Sequence, residues 1–424
     1  MSMLEKRENV RGRCLLVGLA CDSTADFENS DEITMAELAE LVKTAGGETV
    51  MTAMQNKHTP DPHTFIGEGK AAELKELIAA NEIDLTIVDN ELSPSQSRAL
   101  EEALSCRVID RSGLILDIFA DRARTAEGKL QVELAQYQYL LPRLTGMWTH
   151  LVRQTASGGS SPIGTRGPGE TQLETDRRHI RRKIQRLQED IRDLQRVRAT
   201  QRSKREKNEI PLICIVGYTN AGKSTLLNAL TGAEVHAADR LFDTLDPTTR
   251  LLHTQQMGDL LFSDTVGFIR KLPHHLIQAF RSTLEEAKYA DYLIHVVDAS
   301  NPQRDKQMHI VYDTLYQLEI QDKTILTLFN KQDLVTDKEP LHDFKADATF
   351  AVSARTGEGL DAVKEKLSDL LRENKILIER VIPYADAGII QQVRKGGELL
   401  TEEYRAEGIY IKAYVPMELY GRLG

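Results

Sequence analysis

The residues with the clearest chemical potential lie in the loop 217–224, which reads Gly-Tyr-Thr-Asn-Ala-Gly-Lys-Ser. An apolar, β-rich run precedes the loop and a helical segment follows it, which is the strand–loop–helix context of a phosphate-binding loop. The glycines let backbone N–H groups point inward, where the helix N-terminus adds a positive dipole end. Lys223 is expected to reach the β- and γ-phosphates, and Ser224 to coordinate Mg²⁺. We expect nucleotide contacts from Gly217, Tyr218, Thr219, Asn220, Ala221, Gly222, Lys223 and Ser224.

A second motif, Asp264-Thr265-Val266-Gly267, ends the next strand-like run. The Asp264 carboxylate is expected to hold a water bound to Mg²⁺, and the Gly267 N–H to sense the γ-phosphate. Such tetrapeptides are common in turns, so the information lies in the spacing after a phosphate-binding loop. All four residues are predicted to contact the nucleotide.

Two further signatures follow in order, Asn330-Lys331-Gln332-Asp333 and Ser353-Ala354-Arg355. Asp333 can accept two hydrogen bonds, from guanine N1–H and from the exocyclic amine, whereas adenine offers no such donor pair. A buried acceptor would therefore remain unpaired with ATP, which costs several kcal/mol. Asn330 is expected to tie its loop to the phosphate-binding loop, the Lys331 stem to cover the base, and the Ala354 N–H to donate to guanine O6. The four motifs together indicate a guanine-nucleotide site.

A switch segment must lie between the phosphate-binding helix and Asp264. The stretch 242–250 offers Thr244, Thr248 and Thr249, one of which should coordinate Mg²⁺ when the γ-phosphate is present. Physical reasoning does not choose among the three, and any of them could be an ordinary turn threonine.

The order of these motifs, with Thr-Leu-Asp-Pro-Thr at 244–248 and Asp-Thr-Val-Gly-Phe at 264–268, resembles the HflX family of translational GTPases. The upstream run 164–178, Gly-Thr-Arg-Gly-Pro-Gly-Glu-Thr-Gln-Leu-Glu-Thr-Asp-Arg-Arg, resembles the most specific signature of that family. The resemblance covers about residues 10–375. It implies a ribosome-associated GTPase that binds the large subunit and splits ribosomes, often under stress.

The resemblance also assigns roles to single positions. It makes Thr244 the Mg²⁺-binding switch threonine beside Ser224, and it gives Lys223, Thr244 and Gly267 as the catalytic set. The switch residues that it turns toward the nucleotide are Phe242, Asp243, Thr244, Leu245 and Asp246.

Two positions predict how hydrolysis behaves. Phe268 stands where many GTPases carry a water-positioning glutamine, and an apolar ring can neither orient nor deprotonate water. We therefore expect slow intrinsic hydrolysis, with the missing group supplied by backbone, an ordered water or the ribosome. Asn220 resembles the asparagine of potassium-stimulated GTPases, so K⁺ is a candidate second cofactor beside Mg²⁺; the alternative role of Asn220 is bracing the loop.

Composition bounds the class of protein. The chain has 424 residues, which predicts two or three domains, and its 28% charged and 41% hydrophobic residues are ordinary for a soluble globular protein. The net charge of −10 does not demand a nucleic-acid partner, so any RNA contact must come from local clustering. The four cysteines form no CxxC pair, which favours buried free thiols in a reducing cytosol. No run is long and apolar enough for a membrane span, and a cytoplasmic location is expected.

Residues 1–115 alternate strands and helices, which predicts a parallel α/β domain. The strands are expected at 13–21, 48–54, 84–89 and 106–110, and the helices at 32–45, 69–81 and 94–105. The glycine-rich turn 65–70 has a faint phosphate-binding character but lacks the full spacing, and a helix-capping turn is the better interpretation.

Residues 116–208 predict a basic helical hairpin with a glycine-rich tip near 157–164. A first helix carries Leu130, Leu134 and Leu141 on one face, and Pro142 should interrupt or end it. The second helix has a heptad seam formed by Ile180, Ile184, Leu187, Ile191 and Leu194.

The second helix is strongly basic. It holds 13 Lys or Arg between Arg177 and Lys207 against four Asp or Glu. Contact with RNA phosphates is favoured over a merely solvated face. The resemblance implies that residues 155–170 enter large-subunit RNA near the peptidyl-transferase centre.

Residues 209–373 predict a GTPase domain of mostly parallel sheet with helices on both faces, and 374–424 a small α+β domain. We expect a GTP-hydrolysing enzyme whose partners are GTP, GDP, the large ribosomal subunit and its rRNA, with no DNA, no stable membrane insertion and a monomeric state. Two alternatives remain: a signalling GTPase that acts through protein partners with the basic helices as a dimerisation arm, and an RNA-remodelling enzyme that uses ATP through its N-terminal domain.

Overall fold

The computed structural model describes residues 12–22, 29–147, 168–207, 210–232, 241–242, 248–254, 258–272, 286–336, 341–373, 375–386 and 388–422. The chain divides into two compact units, each made of three segments. The first unit comprises residues 1–195, 239–246 and 269–282, and the second comprises 196–238, 247–268 and 283–424. Three sheets are present among the described residues, and they lie within the predicted segments 1–115, 209–373 and 374–424.

The first unit contains a four-stranded parallel sheet in the order β2-β1-β3-β4. Its strands are β1 (Arg13–Cys21), β2 (Glu48–Lys57), β3 (Leu85–Val88) and β4 (Arg107–Asp110). The helices are α1 (Glu32–Thr44), α2 (Glu68–Ala80), α3 (Pro94–Leu104) and α4 (Arg111–Arg122). The predicted parallel α/β arrangement is confirmed, with bounds that differ by a few residues.

Helix α4 escaped the sequence analysis. It follows β4 without a connecting loop, and the Asp110 side chain accepts a hydrogen bond from the Gly113 N–H at 2.9 Å to cap it. Most of its residues are buried, including Leu114, Ile115 and Phe119. Its charged residues Arg111, Asp117, Asp121 and Arg122 interrupt the apolar run, and no loop separates the helix from β4 in the sequence.

The helical region consists of α5 (Ala126–Met147) and α6 (Pro168–Lys207). Helix α5 continues past Pro142, so the expectation that this proline ends the helix is wrong. The seam of α6 is half-buried and Leu187 is only 3% exposed, as expected of a packing face. Lys183 of α6 forms an ion pair with Glu133 of α5 at 3.2 Å. The predicted tip at 157–164 lies outside the described residues.

The second unit contains a six-stranded sheet in the order β10-β9-β8-β5-β7-β6. Its strands are β5 (Leu212–Gly217), β6 (Thr248–Thr254), β7 (Gly258–Asp264), β8 (Tyr292–Asp298), β9 (Thr324–Asn330) and β10 (Ala348–Ala351). Among the described strands of this sheet, β6 and β7 form the one antiparallel pair. The helices with this sheet are α7 (Lys223–Thr231), α8 (Arg304–Gln317) and α9 (Leu360–Glu373). The mostly parallel sheet is confirmed, and parallel strands bring their carboxyl ends to one edge.

A small antiparallel sheet completes the second unit, in the order β11-β13-β12. Its strands are β11 (Lys375–Ile382), β12 (Glu398–Arg405) and β13 (Gly408–Pro416), with helices α10 (Gly388–Gly396) and α11 (Met417–Arg422). Buried Ile378, Val393 and Ile411 belong to its core. The predicted α+β architecture is confirmed.

All four cysteines carry free thiols, and Cys14, Cys21 and Cys214 are buried. Burial holds the pKa of the Cys214 thiol well above its ordinary value, which keeps that thiol unreactive. Within the described residues, no helix is both long and apolar enough to cross a bilayer.

Because the chain forms two compact units, we expect that destabilising the first unit leaves GDP binding by the second unchanged. Replacing fully buried Leu15 of β1 by alanine is expected to lower the free energy of unfolding of the first unit by about 2–5 kcal/mol. GDP affinity should stay unchanged, because the predicted nucleotide contacts outside 242–246 lie in the second unit. Denaturant unfolding and calorimetric titration measure the two quantities, with the half-exposed Ile33→Ala as control. A GDP affinity that falls together with stability would contradict this independence.

Candidate guanine-nucleotide site

The phosphate-binding loop connects β5 to α7 at the carboxyl edge of the six-stranded sheet. Gly222 caps α7 with φ +95°, a left-handed conformation that favours glycine. A Cβ atom at this position would lie 2.3 Å from Asn330 Nδ2, so a side chain would also displace the neighbouring motif. Both constraints fix glycine at the start of the helix.

Lys223 is held by the loop itself. Its side chain is buried, and Nζ donates hydrogen bonds to the carbonyl oxygens of Gly217 at 3.2 Å and Tyr218 at 2.9 Å. Burial lowers the pKa of Lys223 to about 8, partly opposed by the negative charge of Asp264. The amine is thus confined near the loop, where the negative charge of a bound phosphate would raise its pKa again.

Ser224 and Asp264 meet directly. The Ser224 Oγ donates to Asp264 Oδ2 at 2.7 Å, and Asp264 is fully buried at the end of β7. A hydroxyl and a carboxylate are the hard oxygen donors that Mg²⁺ prefers, so these side chains fit a magnesium site. Thr265 fixes the following turn, because its Oγ1 donates to the Ile215 carbonyl at 2.7 Å.

The segment after Asp264 lies against the phosphate-binding loop. A Cβ at Gly267 would lie 2.7 Å from Thr219 Cα and 2.9 Å from Lys223 Nζ, which requires glycine here. The Phe268 N–H donates to the Gly217 carbonyl at 3.1 Å, and the Thr219 N–H donates to the Phe268 carbonyl at 2.7 Å. The Phe268 ring is 1% exposed. Only its backbone therefore offers polar groups to the site.

Asn330 joins three motifs. Its Nδ2 donates to the Ala221 carbonyl at 2.9 Å, and its Oδ1 accepts from the Ala354 N–H at 2.9 Å. The expected tie to the phosphate-binding loop is present. The Ala354 N–H is engaged by Asn330, so its donation to guanine O6 stays a prediction and requires that this hydrogen bond be shared or exchanged.

Two side-chain contacts hold the base-reading loop 330–333. One partner belongs to a motif that the sequence predicted, and the other was not predicted. Asp333 Oδ1 accepts from the Ser353 Oγ at 2.7 Å, which joins the two base-reading signatures. Lys331 adopts φ +65°, and its Nζ forms an ion pair with Asp298 Oδ2 at 2.7 Å. Asp298 ends β8 at the same edge of the sheet, and that position was the signal that could have revealed it.

The other predicted contacts fall at the same edge. Buried are Tyr218, Thr219, Ala221, Val266 and Gln332, while Asn220, Asp333 and Arg355 are exposed, so the expectation of a buried acceptor at Asp333 is wrong. An open cleft of about 650 Å³ lies beside them, lined in part by Thr225, Ala354 and Arg355. Neither Asp333 nor a glycine of the phosphate-binding loop lines this cleft. Of the predicted contacts, Ala354 and Arg355 line it, and both belong to the last base-reading signature.

Phe242 belongs to the first unit. Its ring is 2% exposed and packs edge-to-face on Phe119 of α4, with centroids 4.7 Å apart, inside the first unit. The ring is engaged by Phe119, and a contact of Phe242 with the nucleotide stays a prediction. The neighbouring switch residues Asp243, Thr244, Leu245 and Asp246 lie outside the described residues, and their roles stay predictions.

The burial of Lys223 predicts proton uptake on nucleotide binding. At pH 9 most of the ammonium is neutral, since its pKa is about 8. A bound phosphate raises that pKa again, so binding of GDP should take up roughly 0.9 proton at pH 9 and almost none at pH 6.5. Calorimetry in two buffers of different ionisation enthalpy measures the uptake.

Guanosine is the matched control, because it lacks phosphate and should cause no uptake. The same low pKa penalises folding below pH 8, so nucleotide-free protein should gain stability between pH 8 and the ordinary Lys value of 10.5. Identical proton exchange for GDP at the two pH values would show that Lys223 is not the group involved.

Asp333 is predicted to set the base preference. Asp333→Ala removes two charge-assisted hydrogen bonds, each worth roughly 1.5–3 kcal/mol, so GDP affinity should fall by about 100-fold or more. The weak affinity for ATP should not change. Titration calorimetry measures both, with exposed Asp313→Ala on α8 as control. Equal losses for the two purines, or none, would rule out this role.

Family models match the chain in three consecutive parts between residues 32 and 331. A GTP-binding GTPase N-terminal region matches residues 32–120, a GTP-binding GTPase middle region matches 122–205, and a 50S ribosome-binding GTPase domain matches 212–331. Together they cover more than half of the sequence.

Similar proteins agree with these matches. GTPase HflX of Lacrimispora saccharolytica is 50% identical over 425 residues, covering 100% of this chain and 98% of the relative. GTPase HflX of Escherichia coli K12 is 44% identical over 347 residues, covering 81% and 80%. A solved GTP-binding protein from Sulfolobus solfataricus in complex with GDP is 22% identical and covers 85% of this chain and 99% of its own, with a TM-score of 0.43 that supports no conclusion here. On the family matches and the identities to its relatives, the chain belongs to the HflX family and is a GTP hydrolase.

Proposed function

We propose that this GTPase binds the large ribosomal subunit in its GTP form, splits or rescues ribosomes, and uses hydrolysis of GTP to GDP and phosphate as the release step. The observation that carries the proposal is the match of residues 212–331 to a 50S ribosome-binding GTPase domain. The contacts of Asn330 support it, since they draw three nucleotide motifs into one site.

In the proposed GTP-bound form, Ser224 and Thr244 hold Mg²⁺, which neutralises charge on the phosphates. Lys223 turns from the carbonyl oxygens of Gly217 and Tyr218 toward the β- and γ-phosphates. Gly267 donates its N–H to the γ-phosphate, and Asp333 pairs with the guanine edge. Release of the γ-phosphate removes the contacts of Thr244 and Gly267, and the ribosome-binding surface is lost with them.

The proposed chemistry is slow without a partner. Phe268 supplies no proton acceptor, so water must be positioned by backbone, a second water or the ribosome. Asn220 has φ +60° and an exposed side chain, which is compatible with the proposed K⁺ ligand and equally with loop bracing.

Helix α6 is proposed to contact rRNA. Its exposed positions include Arg181, Arg182, Arg186, Arg192 and Arg196. Its apolar seam is formed by other residues and is half-buried, and Leu187 of the seam is almost fully buried. A helix with its seam occupied and its arginines exposed favours phosphate contact over a dimerisation arm.

The ATP-driven alternative is less favoured. Gly67 is the N-cap of α2, and its N–H donates to Gln55 Oε1 at 2.9 Å. The glycine-rich turn 65–70 is therefore occupied with capping and with a side chain of β2, which supports the helix-capping interpretation.

Sedimentation of ribosomes tests the proposal. With a non-hydrolysable GTP analogue and Mg²⁺, the protein should travel with the large subunit and convert whole ribosomes to subunits, whereas with GDP it should remain at the top of the gradient. Binding should weaken steeply as salt rises, because phosphate contacts release counterions.

A variant in which residues 155–170 are replaced by a Gly/Ser segment of equal length is expected to lose splitting but keep intrinsic GTP hydrolysis. Splitting by that variant at the wild-type level would refute the role of the tip. Absence of any nucleotide-dependent association in the wild-type protein would refute ribosome binding itself.

A further inference from the structure

Lys271 follows Gly267 by four residues, and its side chain is buried in the first unit. The side chain is 8% exposed, and Nζ donates to Asp89 Oδ2 at 2.6 Å and to Ser30 Oγ at 3.4 Å. The backbone of Lys271 has φ +52°, a left-handed conformation that non-glycine residues rarely adopt. A buried lysine in such a conformation indicates a specific role for its ion pair.

The place that Lys271 enters is where α/β sheets bind ligands. In the order β2-β1-β3-β4, the chain leaves β1 and β3 toward opposite sides of the sheet, which makes their gap the topological switch point. Ser30 precedes α1 in the connection that leaves β1, and Asp89 directly follows β3. The ammonium of Lys271 thus occupies the crevice at the carboxyl ends of these two strands.

The crevice is built to hold a cation. Asp89 is fully buried, and its Oδ1 accepts from Arg111 Nη1 at 2.8 Å. Arg111 is itself 1% exposed and forms a second, short ion pair with Glu37. Burial raises the pKa of Asp89, but the charges of Arg111 and Lys271 outweigh it and the pKa lies below its ordinary value. Departure of Lys271 would remove a cationic partner from the fully buried Asp89.

The chain between Gly267 and Lys271 is short and held at both ends. The Phe268 backbone is hydrogen-bonded to the phosphate-binding loop in the second unit, and the chain passes into the first unit at Ile269. Ile269 and Arg270 are both buried. Three residues span at most roughly 11 Å, so a shift of Phe268 has little slack before it acts on Lys271.

The close packing of Gly267 links GTP to such a shift. A Cβ atom at Gly267 would lie 2.7 Å from Thr219 Cα and 2.9 Å from Lys223 Nζ, so a γ-phosphate that accepts from the Gly267 N–H is expected to displace this segment. We propose that the Lys271–Asp89 ion pair is a latch that favours the GDP-bound arrangement, and that GTP withdraws Lys271 and opens the crevice between β1 and β3. This inference rests on the proposed role of Gly267 at the γ-phosphate. By linkage, anything that holds Lys271 in the crevice weakens GTP binding, and GTP loosens the first unit by the same factor.

The variant Lys271→Met keeps most of the side-chain length and removes the charge. In the full-length protein it should raise affinity for a non-hydrolysable GTP analogue by about fivefold or more while GDP affinity stays within twofold. Lys271→Arg, which keeps the charge, should restore the wild-type ratio. The matched control is Lys288→Met, which removes a surface ion pair with Glu319 and should change neither affinity.

Hydrogen exchange of the wild-type protein gives a second readout that needs no variant. Amides of residues 29–31 and 85–92 should exchange faster with the GTP analogue than with GDP. Equal exchange in the two states, or equal effects of Lys271→Met on both nucleotides, would overturn the latch. The results above would overturn the latch alone. A wild-type protein that bound guanine nucleotides without preference over ATP would instead overturn the proposed function, so the two failures are distinguishable.

Discussion

The hydrogen bonds of Asn330 are the constraint on which the nucleotide site depends. One amide group satisfies the Ala221 carbonyl of the phosphate-binding loop and the Ala354 N–H of the last base-reading signature. Because its Nδ2 would lie 2.3 Å from a Cβ at Gly222, the amide also dictates glycine there. Phosphate binding and base recognition are therefore parts of one arrangement, and parallel strands supply it by ending at a common edge.

Each of the two units contains charged side chains that are buried away from water. Lys223 and Asp264 are buried at the phosphate end, and Asp89 with Arg111 is buried in the first unit. Each group is stable only while its partners stay close, since an unpaired buried charge is costly. In the proposed latch, a nucleotide that rearranges one partner changes the balance at the others, and the short segment from Gly267 to Lys271 is the covalent path for that change.

Much of this could be read from the sequence. The apolar runs and motif spacing predicted the parallel sheets, the small α+β region and the position of Asn330 beside the phosphate-binding loop. What escaped prediction depends on contacts between residues distant in the chain. Asp298 is marked only by its place at the end of β8, α4 follows β4 without a loop, and the packing of Phe242 on Phe119 joins residues far apart in the chain. Lys271 resembles any loop lysine until the fold brings Asp89 to it.

The most direct measurement is calorimetric titration of Asn330→Ala with GDP, alongside circular dichroism to show an intact fold. Loss of two hydrogen bonds, each worth about 1 kcal/mol, together with the disorder of two loops, predicts an affinity at least about tenfold weaker than that of the wild-type protein. A folded variant that binds GDP as tightly as the wild-type protein would contradict the claim that this amide unites the site.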